Sequence, residues 1–168
     1  MIKSITLTGP ELMMCRHLGN VRTLCSRSLH VKDSQMGKQS SWESDEWGVV
    51  GEYAFCKLHN IFFDPAPKPY GDEYDFIYHG QRFDMKTTIL PHGQLIATLK
   101  KHEKVDFFAL AILTGNTVTF PGHCKASKLY NEANIKNLGH GNGYVVHQSQ
   151  LTEWKDDEEG KNNSEGPG

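Results

Sequence analysis

The sequence predicts an α/β fold in which a mixed central sheet is flanked by helices, and three observations carry that prediction. Two segments in the first third of the chain, 8–27 and 46–59, repeat apolar residues at helical spacing. Two segments in the middle, 74–88 and 105–120, are dense in aromatic and β-favouring residues and are broken by short turn signals. A third helix-spaced segment, 124–136, precedes a last apolar run, Tyr144-Val145-Val146. The predicted order is helix, helix, three strands, a hairpin return, helix, strand. At 168 residues the chain can bury about two thirds of its unfolded surface in one core without staples. Residues 1–152 are therefore expected to form one domain, and 153–168 an acidic disordered tail.

The first helix starts at Thr8-Gly9-Pro10-Glu11, where Ser/Thr-x-x-Glu spacing makes a capping box and proline suits the first turn. Leu12, Cys15, Leu18, Val21 and Cys25 form its apolar stripe. Arg16, Arg22 and Arg27 lie largely off that stripe, on a side expected to face solvent or nucleic acid. Gly19 opposes the helix by about 1 kcal/mol relative to alanine. Residues 32–46 are mostly polar and read as an exposed loop. The second helix is expected from about Glu46 to His59, with Val50, Tyr53, Ala54 and Leu58 on one face and Glu52, Cys56 and His59 on another. Pro65, Pro67 and Pro69 then stiffen the loop that leads to the strands.

Tyr74–Tyr78 and Arg82–Thr88 read as two strands joined by a tight His79-Gly80 turn. Strand side chains alternate between faces, so Asp84 and Lys86 share one face while Phe83, Met85 and Thr87 share the other. Asp75 opens the first strand and is preferred to Asp72 and Glu73, which read as turn residues. Two acids and a lysine thus converge. Mg²⁺ and similar hard cations take one or two carboxylates plus waters and substrate phosphate. A lysine beside such a cation orients or deprotonates the attacking water and offsets charge on the phosphate, so the pattern suits phosphodiester hydrolysis. A surface ion-pair ladder on an edge strand is the bland alternative. Glu52 alone would merely complement a helix dipole. With Asp75 and Asp84 downstream it becomes a candidate metal-site residue.

Beyond Thr88 a loop carries Gln94, and Lys100, Lys101 and Lys104 with His102 make a basic cluster suited to a phosphate backbone. Val105–Leu113 is the most continuously apolar stretch and reads as a central strand covered on both faces, with Asp106 at its start in a structural role. Gly115-Asn116 is a hairpin turn and Thr117–Phe120 the return strand. The helix expected over 124–136 directs Lys125, Lys128 and Lys136 outward.

Asp75, then Asp84-x-Lys86 followed by Thr87-Thr88, with Glu52 in Gly48-Val49-Val50-Gly51-Glu52-Tyr53-Ala54, resembles the motif of the PD-(D/E)xK nuclease superfamily. Tyr74 stands where the motif's name has proline. The resemblance covers roughly Gly48 to Leu113 and implies a restriction-endonuclease-like αβββαβ core. It implies a DNA-cleaving enzyme in which Asp75, Asp84 and the Met85 backbone carbonyl hold Mg²⁺ or Mn²⁺, Glu52 is a direct or water-mediated ligand, and Lys86 positions the water. Gln94 is a further candidate, since a glutamine after the lysine assists in some relatives. Similar small members are encoded by bacteriophages, which implies phage DNA processing in a host cytoplasm. A structure-selective resolvase, which would need a homodimer, and a non-catalytic DNA- or protein-binding inhibitor on the same fold are the alternatives.

The formal net charge of −2 is unevenly spread. Six acids and two lysines lie in residues 153–168, leaving 16 basic and 14 acidic side chains in residues 1–152. A net positive body permits a DNA partner without demanding one. Cys15, Cys25, Cys56 and Cys124 are widely spaced and form no Cys-x-x-Cys pair, so buried reduced thiols are expected. The sequence lacks an apolar run of membrane-spanning length and a signal-peptide pattern, so a cytoplasmic protein is expected.

Overall fold

The computed structural model of the chain describes residues 2–29, 41–67 and 74–155. The acidic tail expected over 153–168 lies mostly outside them, as do Asp72 and Glu73.

Strand β1 (Lys3–Thr6) leads into helix α1 (Gly9–Ser28). The capping box forms as the sequence predicts: Thr8 Oγ1 accepts the Glu11 N–H at 3.3 Å, and the Thr8 N–H donates to Glu11 Oε2 at 2.8 Å. Helix α2 (Ser41–Leu58) begins five residues before the expected Glu46. Its first turns are too polar to read as helix from composition, but Thr23 Oγ1 on α1 donates to Asp45 Oδ2, a tertiary partner no local pattern reveals. Gly19 explains itself here. A Cβ on it would stand 2.7 Å from the Glu46 Cα, so the two helices cross too closely for any side chain at that point.

Strands β2 (Phe76–Tyr78) and β3 (Gln81–Thr88) form the expected hairpin. His79 and Gly80 take φ of 48° and 73°, the double left-handed turn whose twist suits paired strands. After β4 (Leu95–Thr98), β5 (Phe107–Thr114) runs parallel to β3. Strand β6 (Thr117–Lys125) returns antiparallel and continues five residues past the expected Phe120. The larger sheet has the order β1-β6-β5-β3-β2.

The expected 124–136 helix is corrected by the structure. Only one turn, α3 (Ala126–Leu129), is α-helical, followed by a 3-10 turn at Glu132–Asn134 and strand β7 (Ile135–Asn137). The Asn134 amide donates to the carbonyls of Lys128 and Leu129, and Asn131 Oδ1 accepts from the Ala133 N–H. These side chains satisfy the groups that further helical turns would have used. Strand β8 (Asn142–Val146) contains the expected Tyr144-Val145-Val146 run, but it joins β4 and β7 in a second sheet of order β4-β8-β7. Neither β1 nor β4 was legible as a strand, each being only four residues long.

The chain is thus an α/β protein with a mixed sheet and, among the described residues, three helices. Alternation along β5 divides its core. Ala109 and Ala111 pack with Val50, Ala54, Phe55 and Phe83 on the helix side, whereas Phe108 and Leu110 pack with Leu95, Leu129, Tyr144 and Val146 on the small-sheet side. The two long helices therefore cover one face and the second sheet the other. No helix among the described residues is long and apolar enough to cross a membrane.

Candidate active site

The hairpin register pairs Phe76 with Phe83, and the Asp75 N–H extends the ladder by donating to the Phe83 carbonyl at 2.8 Å. That register sets Asp75 opposite Asp84. Asp75 Oδ2 accepts the Met85 N–H at 2.7 Å, which holds the carboxyl at the edge of β3 where β2 ends. Met85 thus meets the site through its N–H. Asp84 and Lys86 share the face turned to the small sheet, and Lys86 Nζ stands 2.7 Å from Asp84 Oδ1. That oxygen is buried and receives no well-directed hydrogen bond, so the contact is an ion pair. Lys86 also lies 5.9 Å over the Phe108 ring.

Glu52 approaches from the opposite face of β3. Its neighbour Gly51 lets α2 touch the sheet, since a Cβ there would overlap Thr87 Oγ1 and stand 3.2 Å from Ala111 Cβ. Both Glu52 oxygens accept from Arg22 of α1, Nη1 to Oε1 and Nη2 to Oε2, each at 2.8 Å. The Glu52 side chain is 9% exposed and that of Arg22 24%. Sequence reading missed Arg22 as a member of the site. The available signal was its position three residues after Gly19 and seven after Cys15, both buried, which puts all three on one face of the helix.

Asp75 is the common member of the group. Burial, followed by repulsion from Glu52 and Asp84, raises its pKa well above the usual carboxylate range, and Lys86 and the Met85 N–H offset this only in part. Burial works against the charge on Lys86, but Asp84 and Asp75 outweigh it and hold the ammonium above its ordinary value. Burial likewise opposes the charge on Arg22, and its bonds to Glu52 with the fields of Glu52, Asp75 and Asp45 more than compensate. Three carboxyls therefore face two permanent cations. Arg22 takes Glu52, Lys86 takes Asp84, and Asp75 is left over.

Among the described residues, no three His, Cys, Asp or Glu side chains are grouped so as to hold a metal ion. Glu52 is bound to Arg22 and reaches Asp75 from the far side of β3. Asp75 and Asp84 nonetheless fit a hard divalent cation, which needs only one or two carboxylates and fills its sphere with water and phosphate oxygens. The unmatched carboxyl of Asp75 is the observation that fits such a charge. Nearby Cys15 and Cys56 are thiols pushed up to about 12 by burial first and then by neighbouring acids.

The remaining expected residues lie around this centre. Gln94 pairs its side-chain amide with the His147 ring at 3.0 Å. Lys100, Lys101 and Lys104 lie in the connection between β4 and β5. Lys101 Nζ sits 6.0 Å from the Tyr130 ring centre, and the Tyr130 hydroxyl accepts the His102 N–H. Asp106 is structural, as the sequence reading has it: its two oxygens hold Arg82 at 2.8 and 2.9 Å. Of the four cysteines, Cys15, Cys56 and Cys124 are buried free thiols and Cys25 is half-buried. Comparison with protein-family models, curated proteins and solved structures finds no match to this chain.

Proposed function

We propose that this chain is a phosphodiester hydrolase working with a divalent cation and, more particularly, a deoxyribonuclease on a restriction-endonuclease-like core. The observation that carries this reading is the leftover carboxyl: Asp75, flanked by Asp84 and Glu52, is held against ionisation in the absence of a further positive charge. The order α2, β2, β3, β5, with the intervening β4 in the second sheet, supports the αβββ part of the core. The single turn of α3 and the transfer of β8 to a second sheet depart from the rest of it.

In this reading Asp75 and Asp84 would hold Mg²⁺ or Mn²⁺, which would supply Lewis acidity and offset phosphate charge. Lys86, kept protonated by Asp84 and Asp75, acts as a fixed positive charge. It orients the attacking water and stabilises the charge that builds on the phosphate oxygens. The Met85 N–H fixes the Asp75 carboxyl so that little reorganisation accompanies the reaction. Lys100, Lys101 and Lys104, in the connection that leads into β5, would take a phosphate backbone in this reading.

Circular and linear DNA incubated with the purified protein, with and without Mn²⁺, test the reading. Asp84→Ala and Lys86→Ala are expected to keep the circular dichroism of the native chain and to lose Mn²⁺-dependent cleavage. Full cleavage by either variant would refute the assignment. A second reading, a non-catalytic binding protein on a nuclease fold, is favoured by the hold of Arg22 on Glu52. It predicts that cations leave the melting temperature unchanged, whereas a cation-holding site is stabilised as RT ln(1 + [L]/Kd).

A further inference from the structure

One end of the small sheet gathers positive charge from two separate segments. In the strand register Thr98, the last residue of β4, stands opposite Gly143 of β8, and Gly143 stands opposite Lys136 of β7. Neighbouring strands lie about 4.8 Å apart, so the Lys136 backbone is only about 10 Å from the point where the chain leaves β4 for Lys100 and Lys101. The β7–β8 turn, 138–141, projects from the same end, with His140 at its tip. Lys100, Lys101, Lys136 and His140 are all exposed. Glu103 and Glu132 are the acids of these two segments, against Lys100, Lys101, Lys104 and Lys136.

Both segments are held in shape. The Tyr130 hydroxyl accepts the His102 N–H at 3.0 Å, and its ring meets Tyr144 of β8 and Phe108 of β5 at 5.2 and 5.5 Å. In the turn, the Leu138 N–H donates to the Gly141 carbonyl and the Gly139 N–H to Asn137 Oδ1, each at 2.8 Å. Gly139 and Gly141 take φ of 85° and 132°, and a Cβ on either would meet nothing within 4 Å, so the tip stands clear of the body. The candidate site is close. Lys86 to the Phe108 ring, that ring to Tyr130, and Tyr130 to Lys101 are steps of 5.9, 5.5 and 6.0 Å, which set an upper limit on the separation of the two lysines. One DNA strand advances about 3.4 Å per nucleotide, so that limit corresponds to about five nucleotides.

We infer that this end of the small sheet docks duplex DNA: the β7–β8 turn enters the major groove, and Lys136 on one side with Lys100 and Lys101 on the other take the flanking phosphates. The inference rests on the DNA part of the reading above and names the form of the substrate. A two-stranded ribbon matches the width of the major groove. A single strand would instead need exposed rings on which its bases stack. Here Tyr144 is 5% exposed and Tyr130 is half-buried beneath Lys101.

Fluorescence anisotropy of labelled duplex and single-stranded DNA of one sequence, in EDTA so that nothing is cut, reads docking apart from catalysis. The full chain is expected to bind the duplex at least about tenfold more tightly than the single strand. Lys136→Gln is expected to weaken duplex binding about fivefold or more at low salt and to flatten the slope of log K against log salt by about one. His140→Glu, which sets a negative charge at the tip, is expected to weaken it further, and a photoreactive amino acid in place of His140 to cross-link to the duplex. Both positions are exposed, and circular dichroism checks that the variants fold. Native duplex affinity and slope in Lys136→Gln and His140→Glu, or equal affinity of the full chain for the single strand, overturns the inference while the cation-dependent reading stands. Displacement of the duplex by an equal charge of poly-glutamate would point to an acidic protein partner and overturn it as well. Docking through these residues by a chain that Mn²⁺ does not enable to cut keeps the inference and overturns the hydrolase. Absence of binding to either DNA overturns both.

Discussion

Replacing Gly51 by alanine tests how Glu52 is carried to the site. An added Cβ would overlap Thr87 Oγ1 and lie 3.2 Å from both Thr87 Cβ and Ala111 Cβ, against about 3.5 Å for unstrained carbon contact. Two effects oppose each other. Alanine improves a helix interior by about 1 kcal/mol over glycine, whereas a methyl forced into a packed contact costs about 1–3 kcal/mol. The cost wins because Thr87 and Ala111 are paired partners in the β3–β5 ladder and cannot recede without opening it. A net loss of about 1–2 kcal/mol lowers the melting temperature by roughly 2–8 °C for a chain of this size. Because Glu52 is the next residue, the displaced helix also shifts it relative to Asp75, and on the proposed cation-dependent reading Mn²⁺ is then expected to stabilise the variant less than the native chain. Thr87→Ala added to Gly51→Ala is expected to restore much of the loss. The Thr87 hydroxyl it removes is buried with no hydrogen-bond partner among the described residues. Thermal unfolding followed by circular dichroism, with and without Mn²⁺, reads all three proteins. A Gly51→Ala chain that melts at or above the native temperature would show that α2 does not rest on β3 as described.

Asp75→Asn should stabilise the metal-free chain. A carboxyl whose folded pKa is raised leaves stability untouched below its unfolded value near 4, and costs stability as pH rises from there toward the folded value. The advantage of the variant should therefore grow with pH above about 4, and parallel melting profiles for the two chains would count against the charge imbalance at Asp75. The same variant should lose Mn²⁺ stabilisation. Trp154 is 4% exposed and its ring lies 4.7 Å from Phe55, 4.5 Å from His123 and 5.7 Å from Phe83. Trp154→Ala should cost about 3–5 kcal/mol in urea unfolding, and a loss below about 1 kcal/mol would mean the packing around the ring is not as described. Changing Lys100, Lys101 and Lys104 together to alanine should weaken DNA binding and flatten the dependence of log K on log salt by up to about three. An unchanged slope would remove these lysines from the phosphate track.

Local pattern carried much of the architecture. Thr8 and Glu11 are three residues apart and cap one helix end whatever surrounds them. His79-Gly80 adopts its turn because few dipeptides tolerate two left-handed residues in succession. Val105–Leu113 reads as a central strand because, Asp106 apart, it is apolar throughout, as a strand covered on both faces is. The misreadings share a different cause. The helix expected over 124–136 has the right periodicity, yet Asn131 and Asn134 capture the backbone groups it would need. Strands β1 and β4 are too short to carry a period, and only their partners β6 and β8 make them strands.

By itself the sequence determined the α/β class, the hairpin, and the pairing of Asp84 with Lys86, because each depends on spacings of a few residues along one element. Only the tertiary structure decided that Gly19 and Gly51 are points of close approach, that Arg22 rather than solvent receives Glu52, and that Asp75 is the carboxyl left without a counter-charge. Those outcomes depend on which faces of separate elements meet, and on distances across tens of residues of chain, which no local pattern encodes.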